Sequence, residues 1–193
     1  MRFRLALNTP RFSFLALTAW VVWVLSVVHS APSHAQPAPR GLDPRKSIGL
    51  YIHEVWGIDN GLPQSTVRAI TQGKDGYLWL ASEAGIVRFD GVTFTTLNSA
   101  NTKALKDNSV TALLTDRADV LWAGTWVGGA ARIVAGKGQF APGSEGSLIL
   151  GLHEDRSGVI WAARESGVSR WTNGRFQPFP GIVDRVNSIT DLP

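Results

Sequence analysis

The chain has 193 residues, 19 basic and 15 acidic side chains, a formal charge of +4 and no cysteine. The absence of thiols excludes disulfides, thiol catalysis, thiolate metal sites and iron–sulfur clusters, so stability must come from packing. Arg2, Arg4 and Arg11 lie in a leader; without them the charges nearly balance, and the remaining cations are scattered singly, which excludes a nucleic-acid face.

In chain order, the arginines of the leader precede an uncharged, mostly apolar run from Phe12 to Val28, and Ser33-His34-Ala35 supplies small residues at a cleavage site. This pattern predicts a signal peptide over residues 1–35, cut after Ala35, and hence a periplasmic product. An uncleaved anchor is the alternative, because the run approaches the length of a membrane span. Association with a membrane is expected only through that anchor or through a missing C-terminal part. Residues 36–50, with three prolines up to Lys46, read as a linker. Residues 51–66 read as a strand, Tyr51–Trp56, closed by the turn Asp59-Asn60-Gly61-Leu62-Pro63.

Three copies of one pattern follow. Trp79, Trp122 and Trp161 are 43 and 39 residues apart, and Val67, Val110 and Ile149 each stand twelve residues before one of them. A period of roughly 40–45 residues made of short alternating strands marks a β-propeller. The first copy predicts strands at Val67–Thr71, Tyr77–Ala81, Ile86–Phe89 and Thr93–Leu97, with Asp75-Gly76 and Asp90-Gly91 as hairpin turns. The second predicts Val110–Leu114, Val120–Ala123, Ala130–Ile133 and an ill-defined strand near Phe140. The third predicts Ile149–Leu152, Ile160–Ala163, Val168–Trp171 and Phe176–Phe179, turning at Asn173-Gly174. Val186–Thr190 matches the first strand of a fourth copy.

The expected fold is therefore all-β: four-stranded antiparallel blades in an incomplete ring. Blade 1 covers residues 67–109, blade 2 residues 110–148 and blade 3 residues 149–185, with the start of blade 4 at residues 186–193. The tryptophans belong between the sheets as core, and Trp79→Ala is expected to cost roughly 3–5 kcal/mol. Ala81, Gly124 and Ala163 let blades approach near the axis, while Gly85, Gly129 and Gly167 open the third strand.

Candidate chemistry is sparse. His153-Glu154-Asp155 has the residue types of a metal or acid–base cluster, but it aligns with plain hairpin turns, where Asp75, Asp116 and Asp155 act as turn formers. The pair Gly128-Gly129 lacks the strand–helix context of a dinucleotide site. No catalytic residue, metal site or cofactor is assigned.

Asp75-Gly-Tyr-Leu-Trp-Leu-Ala-Ser-Glu-Ala-Gly-Ile-Val-Arg-Phe-Asp-Gly-Val-Thr-Phe94 resembles the two-component regulator propeller repeat, as does Asp59-Asn-Gly-Leu-Pro-Gln-Ser-Thr-Val67. The resemblance covers about Tyr51 to Thr190. It implies the periplasmic sensor region of a bacterial transmembrane signalling protein. In that family the blades are followed by a β-sandwich, a membrane helix and an output module, a histidine kinase or sometimes a diguanylate cyclase. The chain has no such module, which makes it the expected N-terminal fragment of a sensor. A ring built from two or more copies and a capped open stack are the alternatives.

Connectivity gathers the loops between second and third strands on one face, with the loops that lead into each blade. That face collects Asn60, Gln64, Glu83, Trp126, Arg164 and Glu165, which vary between copies while turn and core positions repeat. These six are the predicted ligand-binding residues, and Trp126 heads them because Glu83 and Glu165 occupy its aligned positions. The expected partner is a small-molecule or oligosaccharide ligand, or a self-assembling partner chain. The competing readings are a fragment of a propeller enzyme (lyase, glycosidase or quinoprotein) and a secreted interaction scaffold.

Overall fold

A computed structural model describes residues 45–51 and 54–190. The leader, the start of the linker, Ile52, His53 and residues 191–193 lie outside the described residues, as does the predicted cleavage site. Residues up to His53 and residues from Glu54 onward are separate compact units. The described part of the first contains one short 3-10 turn, Ile48–Leu50. Among the described residues no helix is long and apolar enough to cross a membrane.

Among the described residues the second unit holds twelve strands in three antiparallel sheets, each a four-stranded meander. Blade 1 is β1 (Ala69–Gln72), β2 (Leu78–Ser82), β3 (Gly85–Phe89) and β4 (Phe94–Leu97). Blade 2 is β5 (Val110–Thr115), β6 (Leu121–Thr125), β7 (Ala130–Val134) and β8 (Lys137–Phe140). Blade 3 is β9 (Ile149–Glu154), β10 (Ile160–Arg164), β11 (Gly167–Thr172) and β12 (Arg175–Pro178). The strand near Phe140 is thus well formed: its hairpin turns at Ala135-Gly136, with φ of 48° and 75°. Asn173-Gly174 does the same in blade 3, with φ of 51° and 75°, the backbone that two-residue hairpins require.

First strands stand side by side across the blades. Thr71 Oγ1 of β1 donates to Thr115 Oγ1 of β5 at 3.2 Å, and Thr111 Oγ1 of β5 donates to the Ile149 carbonyl of β9 at 2.5 Å. Gly124 in β6 permits this approach, because a Cβ there would lie 2.5 Å from Ile149 Cγ2. One apolar layer joins blades 1 and 2 through Ala81, Ile86, Leu105, Val110, Leu121 and Ile133. The other joins blades 2 and 3 through Trp122, Ile149, Ile160 and Phe176.

The repeated tryptophans are not equivalent. Trp122 is 2 % exposed and stands edge-on to Trp171 and Phe176, with ring centroids 5.0 and 5.9 Å away. Trp79 and Trp161 are only half-buried. Asp116 and Asp155, each six residues before its tryptophan, accept the indole N–H at 2.8 and 2.7 Å. They also accept the turn amides of Ala118 and Val120, and of Ser157 and Val159. Gly73 stands at that position in blade 1, so Trp79 lacks the bond. Asp75 instead leans into the gap, its Oδ1 2.5 Å from where a Gly73 Cβ would be, and caps the Tyr77 amide at 3.1 Å.

The turn carboxylates make the fold acid-sensitive. The Thr93 hydroxyl, then the Thr93 and Val92 amides, pull Asp90 from its ordinary 3.8 to about 2. The Ser157 hydroxyl, then the Trp161 indole and the Val159 amide, hold Asp155 lower still. Both pKa values are depressed in the folded chain, so the unfolded chain binds more protons as the pH drops below 3.8. Their stabilisation is complete above that value and is lost as the pH falls towards about 2. Thermal melts are expected to show a flat Tm above about pH 5 and a steady decline below it, shallower in Asp155→Asn; an acid-independent Tm would refute the assignment.

Two expected strands do not form in their described parts. Glu54–Trp56 pairs with no strand: Trp56 is held by its ring, edge-on to Phe89 at 4.7 Å and Phe94 at 6.0 Å, and no neighbouring backbone offers a ladder. Leu62, in the turn that follows, is 6 % exposed and packs on Leu80, Val87 and Phe94. Val186–Thr190 likewise forms no strand. It lies beside blade 3, where the Val186 amide donates to the Arg164 carbonyl at 3.0 Å. A cavity of about 800 Å³, lined by Trp161, Val168, Phe179, Val186 and Ile189 among others, opens there.

Candidate functional site

The predicted loop face separates into one connected cluster and several side chains engaged elsewhere. Glu83 follows β2 directly. Its Oε2 accepts Gln64 Nε2 at 2.9 Å, and its amide donates back to Gln64 Oε1 at 3.1 Å. Its Oε1 accepts Arg68 Nη2 at 2.5 Å. Arg68 is anchored by its own amide, which donates to the Ala81 carbonyl at 2.9 Å. The Arg68 guanidinium carbon lies 6.0 Å from the ring centroid of Trp126 in blade 2. Gln64, Arg68, Glu83 and Trp126 thus join two blades on one surface. Hydrogen bonds from Gln64, then Arg68 and its charge, hold the Glu83 carboxyl below the ordinary range, so Glu83 is an anion at neutral pH.

Trp126 is 49 % exposed, and its loop is fixed by backbone bonds. The Trp126 amide donates to the Ser109 carbonyl at 2.9 Å, and the Val127 amide donates to Asp107 Oδ2 at 2.9 Å. An indole displayed on a tethered loop loses little freedom when a ligand covers it.

The remaining predicted residues have other engagements. Asn60 Oδ1 accepts the Gly57 amide at 3.0 Å and borders a shallow pocket with Glu54, Val55 and Trp56. Arg164 stands where blades 1 and 2 carry Ser82 and Thr125. Its Nη1 donates to Ser169 Oγ at 2.8 Å, and its Nη2 donates to Ser147 Oγ. Burial lowers its pKa, and Glu145 opposes that shift. Glu165 pairs with Arg185, 3.8 Å apart, an exposed contact of small energetic weight. Glu154 and Asp155 of the histidine-containing run serve the fold: Glu154 Oε2 accepts the Arg117 amide at 2.9 Å. Among the described residues no three His, Asp or Glu side chains could hold a metal ion together.

Two features escaped the sequence reading. Lys74, Arg117 and Arg156 each precede a tryptophan by five residues, and the first two bridge blades. Lys74 Nζ donates to the Arg117 carbonyl at 2.5 Å, and Arg117 donates to the Asp155 and Arg156 carbonyls at 2.9 and 3.0 Å. Their constant offset was a usable signal. The other is Arg68, which has Thr111 and Leu150 at its aligned positions. Arg88, Arg132 and Arg170 instead repeat in register, each lying opposite its blade's tryptophan and over an aromatic ring. Arg68 falls outside that scaffold pattern, and its failure to repeat is its signal.

Comparison with known proteins follows the same lines. The model of the two component regulator propeller family matches residues 61–84 and 104–127. The extracellular domain of BT3049 from B. thetaiotaomicron, assigned to a hybrid two component system, superposes with a TM-score of 0.53 at 19 % identity, over 61 % of this chain and 17 % of that one. The extracellular domain of BT4673 from the same organism, assigned to a one component system, gives 0.57 at 20 % identity, over 68 % and 20 %. The chain therefore spans about a fifth of the length of these solved domains. No curated protein matches it. The matched stretches run from the turn before each first strand to the loop that carries Glu83 or Trp126, so the first two blades are similar to that family's repeat.

Proposed function

We propose that this chain is the periplasmic, ligand-sensing propeller portion of a bacterial transmembrane signal-transduction protein of the two-component type. In this reading the residues present bind and do no chemistry. The observation that carries it is the junction of Glu83 of blade 1 and Gln64 of the segment before it with the half-exposed Trp126 of blade 2. Polar side chains and an indole that vary between copies, on loops held by a repeated scaffold, are what a recognition surface requires. Export is supported by the leader pattern in the sequence and by the extracellular origin of the solved domains that share the fold. A cluster that straddles two blades is placed so that a ligand bound there can bias their packing.

The test is a thermal-shift screen of small molecules and oligosaccharides against the wild type and Trp126→Ala. Trp126→Ala is expected to keep the wild-type Tm within a degree or two, since the side chain is half-exposed and carries no core contact, and to lose the shift that a ligand produces. A variant that unfolds would assign Trp126 to packing. A variant that retains the full ligand shift would move sensing away from this face.

A further inference from the structure

The loop-face cluster holds a cation of its own. The Arg68 guanidinium sits between the Glu83 carboxylate, at 2.5 Å, and the Trp126 ring, at 6.0 Å. A carboxylate beside an indole face is the donor set that recognises guanidinium and ammonium groups: the anion supplies charge and hydrogen-bond acceptors, and the ring supplies its quadrupole. Gln64 Nε2 donates to the Glu83 carboxylate, and the Glu83 backbone amide donates back to Gln64 Oε1, which ties the two residues together. Arg68 is the odd member. It belongs to no repeated arginine position, its side chain is 32 % exposed, and an exposed ion pair is weakly held and easily exchanged.

We propose that Glu83, Gln64 and Trp126 form a binding site for a cationic ligand group, a guanidinium or a primary ammonium, which Arg68 occupies as an internal stand-in. An arriving ligand cation displaces Arg68 and takes its place on Glu83 and against Trp126. Displacement frees the Arg68 head from the surface that joins blade 1 to blade 2, which makes occupancy of the site visible to the packing between blades. The proposal deepens the sensor reading by naming the class of ligand group, and it rests on that reading only for its biological meaning. The binding chemistry stands on the cluster alone.

The probe is methylguanidinium, and the readout is the Trp126 indole N–H peak in a nitrogen–proton correlation spectrum, assigned by its loss in Trp126→Phe. In Arg68→Ala the probe is expected to shift this peak saturably and return it towards its wild-type position. The wild type should reach the same end point only at higher probe concentration, because its own cation competes for the site. Arg68→Lys, which keeps a cation, should behave as the wild type does. Arg68→Ala combined with Glu83→Gln should show no saturable shift. If Arg68→Ala fails to fold, the wild-type titration read against Glu83→Gln decides the matter. Absence of a saturable shift, or an equal shift without the Glu83 carboxylate, overturns the proposal. Saturable cation binding in a protein whose ligand response survives Trp126→Ala would uphold this site and refute the sensor reading of the face. A ligand response lost in Trp126→Ala with no methylguanidinium binding would do the reverse.

Discussion

Trp122→Ala is expected to destabilise the chain by about 3–5 kcal/mol; half-burial brings the same change at Trp79, which the sequence alone places in that range, and at Trp161 below it. Trp122 is the tryptophan sealed between two blades, with Trp171 and Phe176 against its ring. Truncation leaves a void that sheets tied on both sides cannot collapse into. It also strips Asp116 Oδ2 of the indole donor at 2.8 Å, while the amides of Ala118 and Val120 keep the carboxylate in place. Trp79 is half-buried and has no aspartate opposite, so its loss removes less contact and orphans no acceptor. Urea unfolding measures the ranking directly, as a fall in midpoint at nearly constant slope. Equal losses at all three positions would show that burial of the ring in this interface is not what sets the cost.

The second large effect is expected at Gly129, where alanine should cost about 3–4 kcal/mol. Two penalties combine there. The backbone is left-handed, with φ of 79°, and a Cβ would overlap the Ser144 carbonyl oxygen. Ser144 cannot yield easily, because its hydroxyl donates to the Ala141 carbonyl at 2.6 Å and accepts the Ala130 amide at 2.8 Å. Gly136 is the control: its φ is 75° and a Cβ there meets nothing within 4 Å. Gly136→Ala should therefore carry the conformational penalty alone, about 1–2 kcal/mol. A difference near zero between the two variants would mean that the carbonyl moves aside and the close approach is unimportant. Gly85 and Gly167 meet the Leu97 and Ile182 carbonyls in the same way, so a repeated steric demand explains the repeated residue.

The strands of the three blades, their antiparallel meander and the turn role of Asp116 and Asp155 were legible in the sequence. Alternation, positive-φ turn residues and a fixed period are local properties that one sequence repeats three times. Even the degenerate Ala118-Asp119 turn forms, with Asp119 taking the left-handed position at φ 63° that Gly76 and Gly158 hold elsewhere. The strands expected at Tyr51–Trp56 and Val186–Thr190 were misread in their described parts. An alternating segment becomes a strand only when another backbone pairs with it, and pairing is not a property of the segment.

The same division runs through the candidate site. The six variable loop residues were visible as departures from a repeat, but side chains twenty or sixty residues apart meet only through sheet registry. Gln64 reaches Glu83 because β1 pairs with β2, and Arg68 reaches Trp126 because β5 stands beside β1. Those contacts also decided that Asn60 shapes a turn and that Arg164 is bound by serines. By itself the sequence determined the blade, its period and its turns, since backbone propensity and side-chain alternation act over a few residues. Only the tertiary structure decided which tryptophan is sealed, which blade lacks its carboxylate latch and which polar side chains form one surface, because burial and charge pairing depend on what lies across the gap between sheets.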